Sequence, residues 1–150
     1  MINSLNTHRQ HYQEILLKTS KDYYYRFSRY HTNYSIVLAY ISEENGDLSA
    51  CNQYLRGSDT VVYFQSNFCA IIFDNTNEEQ GIKAANNILS RVQTRFFSKH
   101  FYMAVISAND ELSEFQTIHD LFDLIAYALK HNMDNLVVDT SQVIQHQQSI

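Results

Sequence analysis

The chain has 150 residues, of which 45% are hydrophobic and 18% charged, enough for one folded domain with a single core. Eleven Lys and Arg against sixteen Asp and Glu leave a net charge of −5, which argues against a nucleic-acid polymer or an anionic membrane as the main partner. Proline is absent and glycine occurs only at Gly46, Gly57 and Gly81, so no GxGxxG or GxxxxGK phosphate loop can be drawn.

Apolar residues at helical spacing (Tyr12, Leu16, Tyr23, Phe27, Tyr30) predict one long amphipathic helix from about residue 6 to 30. In the run Tyr23-Tyr24-Tyr25, successive side chains point different ways, so one or two rings are expected to be buried. Tyr34–Ile41 is a nearly continuous apolar run, the mark of a central strand covered on both faces. Glu43-Glu-Asn-Gly-Asp47 reads as a loop, and Leu48–Leu55 as a short helix. Val61–Phe73 reads as two strands about a turn at Gln65-Ser66-Asn67, where Asn tolerates left-handed backbone. Thr76 to Glu79 reads as a capping box. The helix after it turns Ile82, Ala85, Leu89, Val92 and Phe96 inward. A strand at 102–107, a helix at 117–130 and a strand at 136–138 follow. The Gln-rich tail, 141–150, is expected to be loosely held.

The order α–β–α–β–β–α–β–α–β predicts an α/β sandwich, one domain over 1–140 with a mixed sheet of about five strands between helices. Its middle strand is expected to be Ser35–Ile41, flanked by the hairpin strands Val61–Phe64 and Ala70–Phe73. Cys51 and Cys69 read as small buried hydrophobes in a reducing compartment. The seven histidines are scattered, with no HExxH or Cys/His pairing, so no metal site is predicted. No G-x-S-x-G elbow is present. No signal peptide and no run of about 18 apolar residues is seen, so a cytoplasmic protein with no membrane insertion is expected.

Several segments, in order, resemble the GGDEF domain of bacterial diguanylate cyclases. Arg29-Tyr30 followed by Tyr34–Ile41 looks like that family's helix end and first strand. Leu55-Arg-Gly-Ser-Asp-Thr-Val61 looks like its LRxSDxV segment, and Asp123–Val137, with Lys130 and Asn135, like its closing segment. The resemblance places the five signature positions on Gln65, Ser66, Asn67, Phe68 and Cys69. In the family the two glycines admit substrate phosphates and the third position is a metal-binding carboxylate. Here side chains stand where glycine is needed, and Asn67 is neutral. The other metal carboxylate maps to Tyr40, with Ser42 two residues on. The path from Tyr40 to Arg56 is much shorter than in the family and lacks the segment that grips the guanine and ribose. The resemblance therefore implies a degenerate, non-catalytic module with no cofactor, acting through a protein partner, a homodimer being one option. The family's RxxD inhibitory motif for cyclic di-GMP falls on Arg56 and Asp59, with Arg26 as the assisting arginine. Guanidinium and carboxylate groups suit guanine edges and phosphate, so cyclic di-GMP binding is the alternative function. Without a ligand, Arg56 offsets a helix C-terminus and Asp59 starts a turn. Lys130 reads as a charge at a helix end.

Overall fold

A computed structural model describes residues 2–42, 46–95 and 100–149. The acidic pair Glu43-Glu44 and Phe96 lie outside the described residues. The elements are α1 (Ile2–Thr19), α2 (Lys21–Tyr30), β1 (Tyr34–Ile41), a 3₁₀ helix (Leu48–Tyr54), β2 (Thr60–Gln65), β3 (Phe68–Asp74), α3 (Glu78–Arg95), β4 (Phe101–Ser107), α4 (Glu114–Lys130), β5 (Leu136–Val138) and α5 (Thr140–Gln148).

The sheet order is β2-β3-β1-β4-β5, antiparallel except for the β4–β5 pair. β1 is the middle strand, as expected, but its neighbours are β3 and β4. The hairpin leaves β2 at the edge, because β2 pairs with β3 alone.

Strand alternation divides the apolar run of β1 between two cores. Tyr34, Ile36, Leu38 and Tyr40 face α1, α2 and α4, together with Phe68, Ala70, Ile72 and Ala104. Val37, Ala39 and Ile41 face α3 and the 3₁₀ helix, with Cys69, Ile71, Phe73, Met103 and Val105. Ile71 and Ile72 are both fully buried, which requires helices on both sides of the sheet. Among the described residues, no helix is long and apolar enough to cross a membrane.

Four expectations are corrected. The N-terminal helix is two helices that meet at Ser20. There the Thr19 hydroxyl donates to the Ile15 carbonyl at 2.8 Å and Ser20 Oγ to the Leu17 carbonyl, alongside the backbone bond from the Ser20 N–H to the Leu16 carbonyl at 2.8 Å. Tyr30, past the buried stripe of Tyr23 and Phe27, is exposed. The capping box is shifted by one residue: Asn77 Oδ1 accepts from the Gln80 N–H and Gln80 Oε1 accepts from the Asn77 N–H, both at 2.9 Å. The tail forms α5, capped by Asp139 and held through a Tyr127–His146 hydrogen bond.

Gly81 lets α3 approach the sheet. A Cβ there would lie 2.5 Å from Ser35 Oγ and 2.8 Å from Ser35 Cβ. Ser35 is fully buried and cannot retreat freely: its hydroxyl joins the Thr76 and Asn77 carbonyls and Ser107 Oγ. Gly81→Ala gains about 1 kcal/mol of helix propensity but forces this junction apart. A net loss of about 1–2 kcal/mol in urea denaturation is expected; a stabilised variant would show that the junction is looser than described.

Candidate functional site

The hairpin and the end of β1 form the first candidate surface. Asn67 sits in the turn, its carbonyl accepting from the Ile41 N–H at 3.0 Å and its side-chain amide donating to the Ile41 carbonyl at 3.2 Å. The Ser66 carbonyl accepts from the Leu48 N–H at 2.9 Å. The turn is thus bonded to β1 and to the 3₁₀ helix. Asn67 does not use left-handed backbone; that conformation falls instead on His31, Asn75, Asn132 and Asn135. An irregularity in register between Tyr63 and Gln65 takes up the turn instead.

Aromatic side chains fill the sheet face beneath this turn. Phe68 is fully buried, with Phe64, Tyr12, Tyr40 and Phe122 rings centred 5.1 to 6.4 Å away. Tyr12 of α1 stacks on Phe64 at 4.7 Å, and its hydroxyl accepts from Gln65 Nε2 at 3.0 Å. Tyr40, where a metal carboxylate would stand by the resemblance, is buried against Phe68 and Tyr102, and burial raises its phenol pKa. Cys69 is fully buried and its thiol pKa is raised; that of Cys51 is pushed up to about 11. Both cysteines are free, and thiols kept protonated in this way are poor nucleophiles.

The second surface lies at the other end of β2, about 20 Å from the turn by strand length. The structure brings Arg26, Arg56 and Asp59 together around Asp74. Arg26 Nη1 donates to Asp74 Oδ1 at 3.0 Å, and its guanidinium lies 4.9 Å from the Tyr23 ring centre. Arg56 Nη2 donates to the Asp74 carbonyl and to Thr76 Oγ1. The Asp59 side chain is only 1% exposed. It accepts from the Arg56 N–H at 2.9 Å, from the Asp74 N–H at 3.0 Å and from the Arg56 guanidinium. The two motif residues therefore bind each other first. The Arg56 side chain nevertheless stays 57% exposed, at the wall of a groove of about 540 Å³.

Sequence reasoning missed the opposite wall. Arg91 of α3 lies over the Tyr54 ring at 4.7 Å, and Asn75, Gln80 and Asn87 line the space between. These residues are far apart in the sequence, and only the packing of α3 against the 3₁₀ helix joins them. Lys130 lies exposed in the last turn of α4, outside both surfaces.

No protein-family model and no curated protein matches the sequence. Solved structures do. A microbial GGDEF domain studied for its interaction with cyclic di-GMP superposes with a TM-score of 0.70 at 9% identity, covering 85% of this chain and 92% of that one. The diguanylate cyclase SiaD of Pseudomonas aeruginosa, solved with its activator SiaC, gives 0.69 at 13% identity, covering 85% of this chain and 58% of that one. The FimX GGDEF domain of Pseudomonas aeruginosa gives 0.67 at 10% identity, covering 85% and 93%. The chain has the GGDEF-domain fold.

Proposed function

We propose that this GGDEF-fold domain is a non-catalytic bacterial signalling module that works by binding a partner protein in the cytoplasm. The observation that carries the reading is the aromatic packing under the hairpin. Tyr12, Tyr40, Phe64 and Phe68 pack together beneath the hairpin, and the positions that the resemblance assigns to the signature carry no carboxylate. Without an acid at Tyr40 or Asn67, these positions supply no negative charge to hold Mg²⁺ against a triphosphate. Candidate contact residues stand elsewhere: Tyr25, Tyr30 and Phe115 are each more than half exposed, and exposed aromatics are favoured anchors at interfaces.

Incubation with GTP and Mg²⁺ or Mn²⁺ is expected to give no cyclic dinucleotide above a protein-free control. Asn67→Asp should stay inactive, because one acid restores neither the second metal ligand nor the guanine-binding segment. Product formation by the natural chain would end this reading.

A second reading has its own support in the polar groove at Arg56. Some neighbours of this fold are described with bound cyclic di-GMP. Two arginines face a space lined with amides, and one of them keeps more than half of its side chain open to solvent. Calorimetric titration with cyclic di-GMP decides it: binding that weakens about a hundredfold or more in Arg56→Ala supports a receptor role. No heat at high micromolar ligand leaves protein interaction as the function.

A further inference from the structure

Strand β2 is open along one side. Among the described residues it pairs with β3 alone, so its outer row of N–H and C=O groups points away from the sheet. Burial follows the same division. In the pairs Val61–Ile71 and Val62–Ala70, the β3 members are fully buried and the β2 members only partly covered, and Tyr63 is 38% exposed. Soluble proteins blunt such edges with charge, with proline or with very short strands. The opposite edge, β5, follows that rule with three residues. β2 does not: Thr60-Val-Val-Tyr-Phe-Gln65 has no charge, proline or glycine, and every residue but Gln65 is β-branched or aromatic.

The symmetry of this strand points to a second copy of the chain. Two copies of one edge strand pair antiparallel about a two-fold axis perpendicular to the sheet. Hydrogen-bonded and non-hydrogen-bonded pairs alternate along such a ladder, so one residue must stand opposite itself. Centred on Val62, the pairing sets Val61 against Tyr63 and Thr60 against Phe64 on each side of the axis. β-Branched residues opposite aromatic ones are favourable cross-strand pairs. A centre at Tyr63 would run into the register irregularity between Tyr63 and Gln65. Charge agrees with this arrangement. The axis keeps the α3 face of both sheets on one side. On that face Arg56 stands at the Thr60 end of β2, more than half exposed in the groove against α3. At the Gln65 end stands exposed Asp47, next to Leu48, which accepts from the Tyr63 hydroxyl and donates to the Ser66 carbonyl. Antiparallel pairing brings the Arg56 end of each copy to the Asp47 end of the other. A chain of net charge −5 thus meets itself along an uncharged strip with opposite charges at its ends.

We propose that two copies of this chain join edge to edge through β2, Val62 of each copy facing Val62 of the other, so that two five-stranded sheets become one. The inference rests on the partner-binding reading and names the partner as the chain itself.

Sedimentation velocity of the full chain, from low to high micromolar concentration, tests the proposal. The mass is expected to rise from 17.6 kDa toward twice that value. Val62→Lys sets like charges opposite each other and should weaken the dimer about tenfold or more, with unchanged circular dichroism. Val62→Cys is the milder second variant. Residues directly opposite have Cα atoms about 4.5–5.5 Å apart, within disulfide range, whereas the two copies of residue 61 stand more than about 7 Å apart. Oxidation with diamide should therefore cross-link Val62→Cys and not Val61→Cys, while the natural Cys51 and Cys69, both buried, form no cross-link. A chain that stays at 17.6 kDa at every concentration, a dimer unaffected by Val62→Lys, or failure of Val62→Cys to cross-link overturns the proposal. A monomer would leave the non-catalytic reading standing, because the incubation with GTP decides that one.

Discussion

Phe68→Ala is expected to cost about 3–5 kcal/mol of stability. Phe68 has no exposed surface, and its ring is the meeting point of Tyr12 from α1, Tyr40 from β1, Phe64 from β2 and Phe122 from α4. Four elements close on that one side chain. Truncation leaves a void that the surrounding rings cannot fill, since each is fixed by a second contact: Tyr12 by Gln65, Tyr40 by Tyr102, Phe64 by Tyr12 and Phe122 by Phe64. A domain of this size has about 5–15 kcal/mol in total. A melting temperature lower by about 6–20 °C follows. Phe68→Leu should lose less than half as much, because it keeps most of the volume. A loss below about 1 kcal/mol for the alanine variant would show that the hairpin face is not packed as described, and the argument against a substrate site there would lose its main support.

Asp59→Ala is expected to cost about 3 kcal/mol, whereas Arg56→Ala should cost about 1 kcal/mol or less. The difference comes from burial. The Asp59 carboxylate is almost wholly enclosed and satisfies two backbone N–H groups, of Arg56 and Asp74. Arg56 is more than half exposed, so its ion pair is screened by solvent, and the Asp59 carboxylate keeps its two backbone donors when the guanidinium is removed. Urea denaturation of the two variants measures both values. The pairing also separates two roles of the motif: Asp59 closes the turn into β2, and Arg56 is the member with donors to spare for a ligand. Equal losses in the two variants would mean that Arg56 is structural too, and would weaken the cyclic di-GMP reading before any titration.

The order of elements from β1 to β5, the extent of β1 and the burial of Ile36, Leu38, Ile71, Ile72 and Val105 were legible in the sequence. A strand covered on both faces reads as a near-continuous apolar run, and β1 has one that only Ser35 interrupts. Tyr34–Ile41 therefore identified itself. Other features left little trace in the pattern. The break at Ser20 falls where two hydroxyls bond back to the helix, and Ser and Thr occur in unbroken helices as well. Helix α5 buries none of its residues, so it has no apolar stripe to betray it. Its Asp139 cap and its bond to Tyr127 act only after α4 is in place. The groove between Arg56 and Arg91 and the covering of the hairpin by Tyr12 join residues that are distant along the chain. Composition and periodicity report which face of a segment is buried. They do not report which other segment buries it, and that choice, made by the packing of α1 and α4 on one face of the sheet and α3 on the other, decides what each surface of this protein can bind.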